Sequence, residues 1–225
     1  MTHVRVFGAL AVLDTLGAYA LWVWLPARRH SLLTEDDFVE NLTALCFSGT
    51  FLAGLVFALR ARDGVGGKTF ALLAALGLVG ALDEVSFGER LFEWSMPVVA
   101  GVKLDAVHDV LYLAYVLVGD WMRTQGHLAS GLAAGAVLAA VARVGWHYRS
   151  PLTECLAAAR PRPPHLLVLA FGACTAVALV LDLEIVDSDA LRMLAEVLEL
   201  NGALALFLAC FAAHDARKAS EGPPA

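Results

Sequence analysis

Apolar runs about 20 residues long alternate with short polar breaks along almost the whole chain, which is the length a helix needs to cross a hydrocarbon core of about 30 Å. Split at charge, proline or glycine, they predict helices at about 4–25, 38–59, 68–87, 105–122, 127–147, 164–181 and 190–213. The expected fold is therefore all-α, a polytopic transmembrane helix bundle of about seven helices. No alternating strand pattern competes, and in lipid only helices or closed barrels satisfy every backbone amide. The first run continues through Trp22 and Trp24 to Pro26 without a small-residue cleavage site, so it reads as a retained helix.

The breaks are short, the longest being the proline-rich stretch from Ser150 to Pro164. One transmembrane domain over 1–216 and a short polar tail over 217–225 are expected, with no internal repeat. Gly131, Gly135 and Ala139 form a small-residue row suited to close helix contact. An odd number of crossings puts the termini on opposite sides, here called side A for the N-terminus and side B for the other. The larger share of Lys/Arg, including Arg28, Arg29, Lys103, Arg143 and Arg149, falls to side B. The positive-inside rule then places the N-terminus out and the C-terminus in, although the basic loop from Arg60 to Lys68 argues the opposite.

Composition agrees with a membrane protein: of 225 residues 59% are hydrophobic and only 17% charged, and the mean hydropathy is +0.69. The net charge of −6 and the lack of a basic run with interleaved aromatics exclude a nucleic-acid partner. Membrane lipids, an amphiphilic substrate or other membrane subunits are the expected partners. Cys46, Cys174 and Cys210 lie in apolar runs and Cys155 in a break, with no C-x-x-C spacing, so they read as packing residues.

Ionisable residues inside membrane helices cost about 2.5–3.5 kcal/mol each to insert, which makes their placement informative. Helix two opens with Glu35, Asp36, Asp37 and Glu40; helix three closes with Asp83, Glu84, Ser86, Glu89 and Arg90; helix four opens with Asp105, His108 and Asp109. Alternating direction gathers all three segments at side B, together with His147, His165 and His214. Asp36 and Glu40 are related by i,i+4, and Asp105, His108 and Asp109 by i+3 and i+4, so each set shares a helix face. Such oxygens with one imidazole suit a hard or borderline divalent metal ion. For Glu35, Asp36, Asp37 and Asp105 an interfacial, wetted position is an equally open reading. Helix seven adds Glu196 and Glu199, and helix one adds Asp14. Glu199 and Asp14 fall near mid-bilayer, where an ionised carboxylate needs arginine, metal or water, or else takes up a proton. Asp182, Glu184, Asp187 and Asp189 read as a solvated acidic loop on side A.

Three of these segments, Glu35-Asp36-Asp37-Phe38-Val39-Glu40, Asp83 to Arg90, and Glu196-Val197-Leu198-Glu199, resemble the E-D-G-x-x-E, E-E-x-S-W-G-Q-R and E-x-x-E patterns of a group of uncharacterised bacterial polytopic membrane proteins. Asp83, Phe87 and Glu89 depart from the middle pattern. The resemblance implies a bacterial cytoplasmic (inner) membrane and one working set of Glu40, Glu84, Ser86, Arg90, His108, Glu196 and Glu199. In architecture the chain is also similar to seven-helix intramembrane hydrolases of the alkaline ceramidase and adiponectin-receptor type, though it lacks H-x-x-x-H.

Three functions remain open on the sequence. In a metal-dependent hydrolase acting on a lipid or other amphiphile, Glu40, Glu84, Asp105, His108 and Glu196 hold the metal, and Glu84, Ser86, Arg90 and Glu199 form the catalytic set. In a proton- or ion-coupled transporter, Asp14, Glu84, Glu196 and Glu199 are stations of a polar path. In an accessory subunit of a membrane complex, the polar residues only pair helices.

Overall fold

The computed structural model describes residues 1–25, 38–61, 64–86, 92, 95–104, 109, 112–114, 116–121, 123–124, 143, 162–182 and 188–221. The chain divides into two compact units, Met1–Trp94 with Pro163–Ala225, and Ser95–Arg162. The first unit contains α1 (Thr2–Trp24), α2 (Phe38–Arg60), α3 (Gly64–Glu84), α4 (Pro163–Asp182) and α5 (Asp189–Glu221). These five helices are long and apolar enough to cross a membrane. The expected all-α bundle is present. Of the fourth predicted helix, residues 109, 112–114 and 116–121 are described and helical, whereas the fifth, with the Gly131 row, falls outside the described residues except for Arg143.

Local chemistry sets the helix ends. Pro163 and Pro164 open α4, where a missing N–H costs nothing. The Ser188 carbonyl accepts from Leu191 and Arg192 at 2.9 and 3.1 Å to start α5. Ser86, with φ of 49°, turns the chain out of α3 directly after Glu84. The expected polar tail from Arg217 is instead the last turn of α5, which runs to Glu221. At 1.5 Å per residue α5 is about 50 Å long, so it outreaches a core of about 30 Å.

Helix α5 is the axis of this unit. Ala203, Ala205, Leu206, Ala209 and Cys210 are fully buried along it, and the small side chains let neighbouring backbones approach closely where lipid gives no hydrophobic drive to associate. Ala203, Leu206 and Cys210 pack with Phe47 of α2 and with Phe70 and Leu73 of α3. Between α2 and α3 the contact is backbone to backbone: a Cβ on Gly54 would lie 2.9 Å from the Ala74 nitrogen, and one on Gly77 would lie 2.6 Å from the Phe51 nitrogen.

These contacts fix helix directions. Helix α1 is antiparallel to α5, with His3 Nε2 2.8 Å from Asp215 Oδ2 at one end and Ala18 and Trp22 packed with Met193 and Val197 at the other. Helix α2 runs parallel to α5, from Val39 beside Met193 and Val197 to Phe57 stacked on His214 at 4.0 Å. Helix α4 is antiparallel to α5: Leu167 meets Ala209 and Ala212, whereas Cys174 and Thr175 meet Gly202.

His3 and Asp215 meet at one end of the helical unit, so the start of α1 and the last turns of α5 share that end, called side A. Helix α3 closes at side B while α4 opens at side A. His165 and His214 consequently lie at side A and not with the carboxylates of α2 and α3. Asp189 moves the other way, to side B. Cysteines placed at Thr2 and Ala219 are expected to react with a membrane-impermeant maleimide from the same face of sealed vesicles; reaction from opposite faces would contradict the α1–α5 pairing.

In the second unit Val98–Val99 and Val102–Lys103 pair antiparallel, with Val99 opposite Val102. Ala100 and Gly101 both have positive φ, 51° and 83°, as a two-residue turn of this twist requires. Expectations from alternation missed this hairpin because two residues per strand carry no period.

Candidate functional site

Each inward-facing stripe of three helices ends in carboxylate at side B. On α2 the buried positions are Thr43, Phe47, Thr50 and Gly54, and Glu40 precedes Thr43 and Phe47 by i+3 and i+7 on that face. On α3, Phe70, Leu73, Ala74 and Gly77 are buried, and Glu84 follows Gly77 by i+7. On α5, Glu199 precedes Ala203 and Leu206 by i+4 and i+7, and Glu196 precedes Ala203 by i+7, so both continue the face that packs on α2 and α3. The contact of Gly80 with Phe47 brings Glu84 level with Thr43, and that of Gly49 with Phe207 brings Thr43 level with Asn201. Glu199 and Glu196 are about 3 and 7.5 Å further toward side B along α5.

Glu40, Glu84, Glu196 and Glu199 are thus delivered by three helices to one half of the bundle. All four are partly buried, and none is without a partner. Thr43 and Thr50, buried on the same α2 stripe, donate to the carbonyls of Val39 and Cys46 at 2.9 and 2.8 Å. Their hydroxyls are therefore satisfied within their own helix. Ser86 lies just beyond Glu84 at the same end. Arg90, Asp105 and His108, which complete the expected set, lie outside the described residues.

No three His, Cys, Asp or Glu side chains among the described residues form a group that could hold a metal ion. Glu40, Glu84 and Glu196 therefore do not make a metal site by themselves. What the register shows is four partly buried glutamates from three helices in the same half of the bundle.

A second polar group sits on another face of α5, toward α1. The Thr15 N–H donates to Asp14 Oδ1 at 2.7 Å, the Thr15 hydroxyl donates to the Ala11 carbonyl at 2.6 Å, and Asn201 Nδ2 reaches Thr15 Oγ1 at 3.5 Å. Cys174 of α4 also faces Asp14. Sequence reasoning found Asp14 but not Thr15 or Asn201; an amide within an apolar helix was the available signal.

The chain matches no family model, no curated protein and no solved structure. The motif resemblance accordingly stands on its own residues, and function has to be argued from the geometry.

Proposed function

We propose that this protein is a proton- or ion-coupled membrane transporter that admits cations at side B. The observation that supports it is the convergence of Glu40, Glu84, Glu196 and Glu199 where the inner faces of α2, α3 and α5 run out. Each intramembrane carboxylate costs about 2.5–3.5 kcal/mol to insert; fixing helix register needs one polar pair, whereas repeated acid along one face serves a path for positive charge. The distribution of base supports an orientation. Among the described residues of the helical unit, Arg5, Arg60, Lys68, Arg217 and Lys218 gather at side A, and Arg192 stands at side B. The positive-inside rule then makes side A cytoplasmic, with both termini in and the acidic end facing out, in a bacterial inner membrane if the motif resemblance holds. Protons driven inward would meet the carboxylates first.

The same convergence favours a second reading, a metal-dependent hydrolase of an amphiphile, in which Asp105 and His108 complete a divalent site with Glu40, Glu84 and Glu196. One purified sample separates the two. For a transporter, proteoliposomes are expected to show ion flux that follows an imposed pH gradient and is lost in Glu84→Gln, with no stoichiometric metal in the wild type. Near-stoichiometric metal that disappears in both Glu84→Gln and His108→Ala, with no gradient-driven flux, would replace transport by hydrolysis.

A further inference from the structure

Asp14 and Asn201 each carry a buried oxygen with no hydrogen-bond partner, Asp14 Oδ2 and Asn201 Oδ1. Asn201 is only 4% exposed, and a buried polar group left unsatisfied costs about 1–3 kcal/mol. A hydroxyl has one proton to give, and that of Thr15 goes to the Ala11 carbonyl. Asn201 directs Nδ2 to Thr15 Oγ1 and leaves Oδ1 without a partner. On Asp14, Oδ1 already accepts the Thr15 N–H. Two acceptors lack a donor, and the Asn201 side chain faces the Asp14 carboxyl.

We infer that Asp14 and Asn201 form a proton-binding site inside the membrane, in which a proton on Asp14 Oδ2 is donated to Asn201 Oδ1. One proton supplies the missing donor, satisfies both oxygens and removes the negative charge. Uptake forms one O–H bond on Oδ2 from a solvent proton; release returns the proton and leaves a carboxylate held by the Thr15 N–H. The assignment deepens the transport reading and rests on it for the direction of entry, since Asn201 joins this site on one face of α5 to Glu196 and Glu199 on another. The groups packed around Asp14 do not compete for the role. Helix α4 presents the Cys174 thiol, α2 reaches the α1–α5 seam through Val39, and the α5 glutamates lie on the face turned to α2 and α3.

Infrared spectroscopy of the full chain in lipid at neutral pH reads protonation without reference to flux. The expected result is a protonated-acid carbonyl band present in the wild type, absent in Asp14→Asn, shifted in Asn201→Leu, and lost as pH rises. In parallel, dicyclohexylcarbodiimide, which attacks protonated carboxyls in apolar surroundings, is expected to modify wild-type Asp14, with yield falling as pH rises; this needs no variant to fold. Identical spectra for wild type and Asp14→Asn, or no modified Asp14 peptide, would overturn the site. Loss of the band on adding sodium at constant pH would overturn the proton as its ligand. A confirmed protonated Asp14 in a protein without gradient-driven flux would leave the site standing and remove the transport reading.

Discussion

Gly77→Val is expected to abolish a stable fold, with a loss of about 3 kcal/mol or more. A Cβ at Gly77 would stand 2.6 Å from the Phe51 nitrogen, 2.8 Å from the Phe47 carbonyl oxygen and 3.0 Å from Thr50 Cβ. Two of these atoms are α2 backbone, so no rotamer change relieves the clash and the helices must part. Separation also undoes the contact of Gly54 with Ala74 and the seat of the Phe47 ring on Gly80. Phe47 in turn packs with Ala203, Leu206 and Cys210 of α5, so the damage spreads to the axis of the bundle. Gly17→Ala is the control: nothing lies within 4 Å of a Cβ there. Thermal unfolding followed by size exclusion in detergent should show the first variant aggregated and the second close to wild type; a Gly77→Val protein that melts normally would contradict the α2–α3 seam.

Glu199→Gln is expected to lower gradient-driven flux at least about tenfold, equivalent to about 1.4 kcal/mol, while leaving the bundle assembled. Glutamine keeps the volume and a hydrogen-bonding end but neither carries charge nor exchanges a proton at physiological pH. Glu199 is the innermost carboxylate of the α5 stripe and adjoins the layer of Thr43, Glu84 and Asn201. Asp189→Asn, on the exposed first turn of the same helix, should leave flux unchanged. Equal flux in wild type and Glu199→Gln, with both proteins monodisperse, would remove Glu199 from the path; equal losses in the Glu199 and Asp189 variants would reduce the effect to general surface charge.

The contrast between these residues shows how far sequence reasoning reached. Glu40 and Glu84 were expected to share side B, and they do. Direction alternates from helix to helix over this stretch, and α2 and α3 are joined by a short loop that leaves no other arrangement. Glu196 and Glu199 were expected on the last helix, with Glu196 joining Glu40 and Glu84 in one metal-binding set. In the structure α4 opens and α5 closes at the end where α1 begins, which carries His165 and His214 away from the acidic end and brings Glu196, Glu199 and Asp189 to it. Hydropathy sees length and polarity but no partner, so it does not say which helix faces meet.

Sequence alone determined that the chain is a helical bundle suited to a membrane, because satisfying backbone amides in lipid allows little else. It also determined which carboxylates are costly enough to matter, since their price depends on the apolar run around them. Only the tertiary structure decided that α1 packs antiparallel to α5, that α5 is the axis, and that Gly54, Gly77 and Gly80 form a tight seam. It alone paired Thr15 with Asn201, 186 positions apart in the sequence. Those outcomes depend on which faces meet and in what register, and side-chain contact between distant helices leaves no local period in the chain.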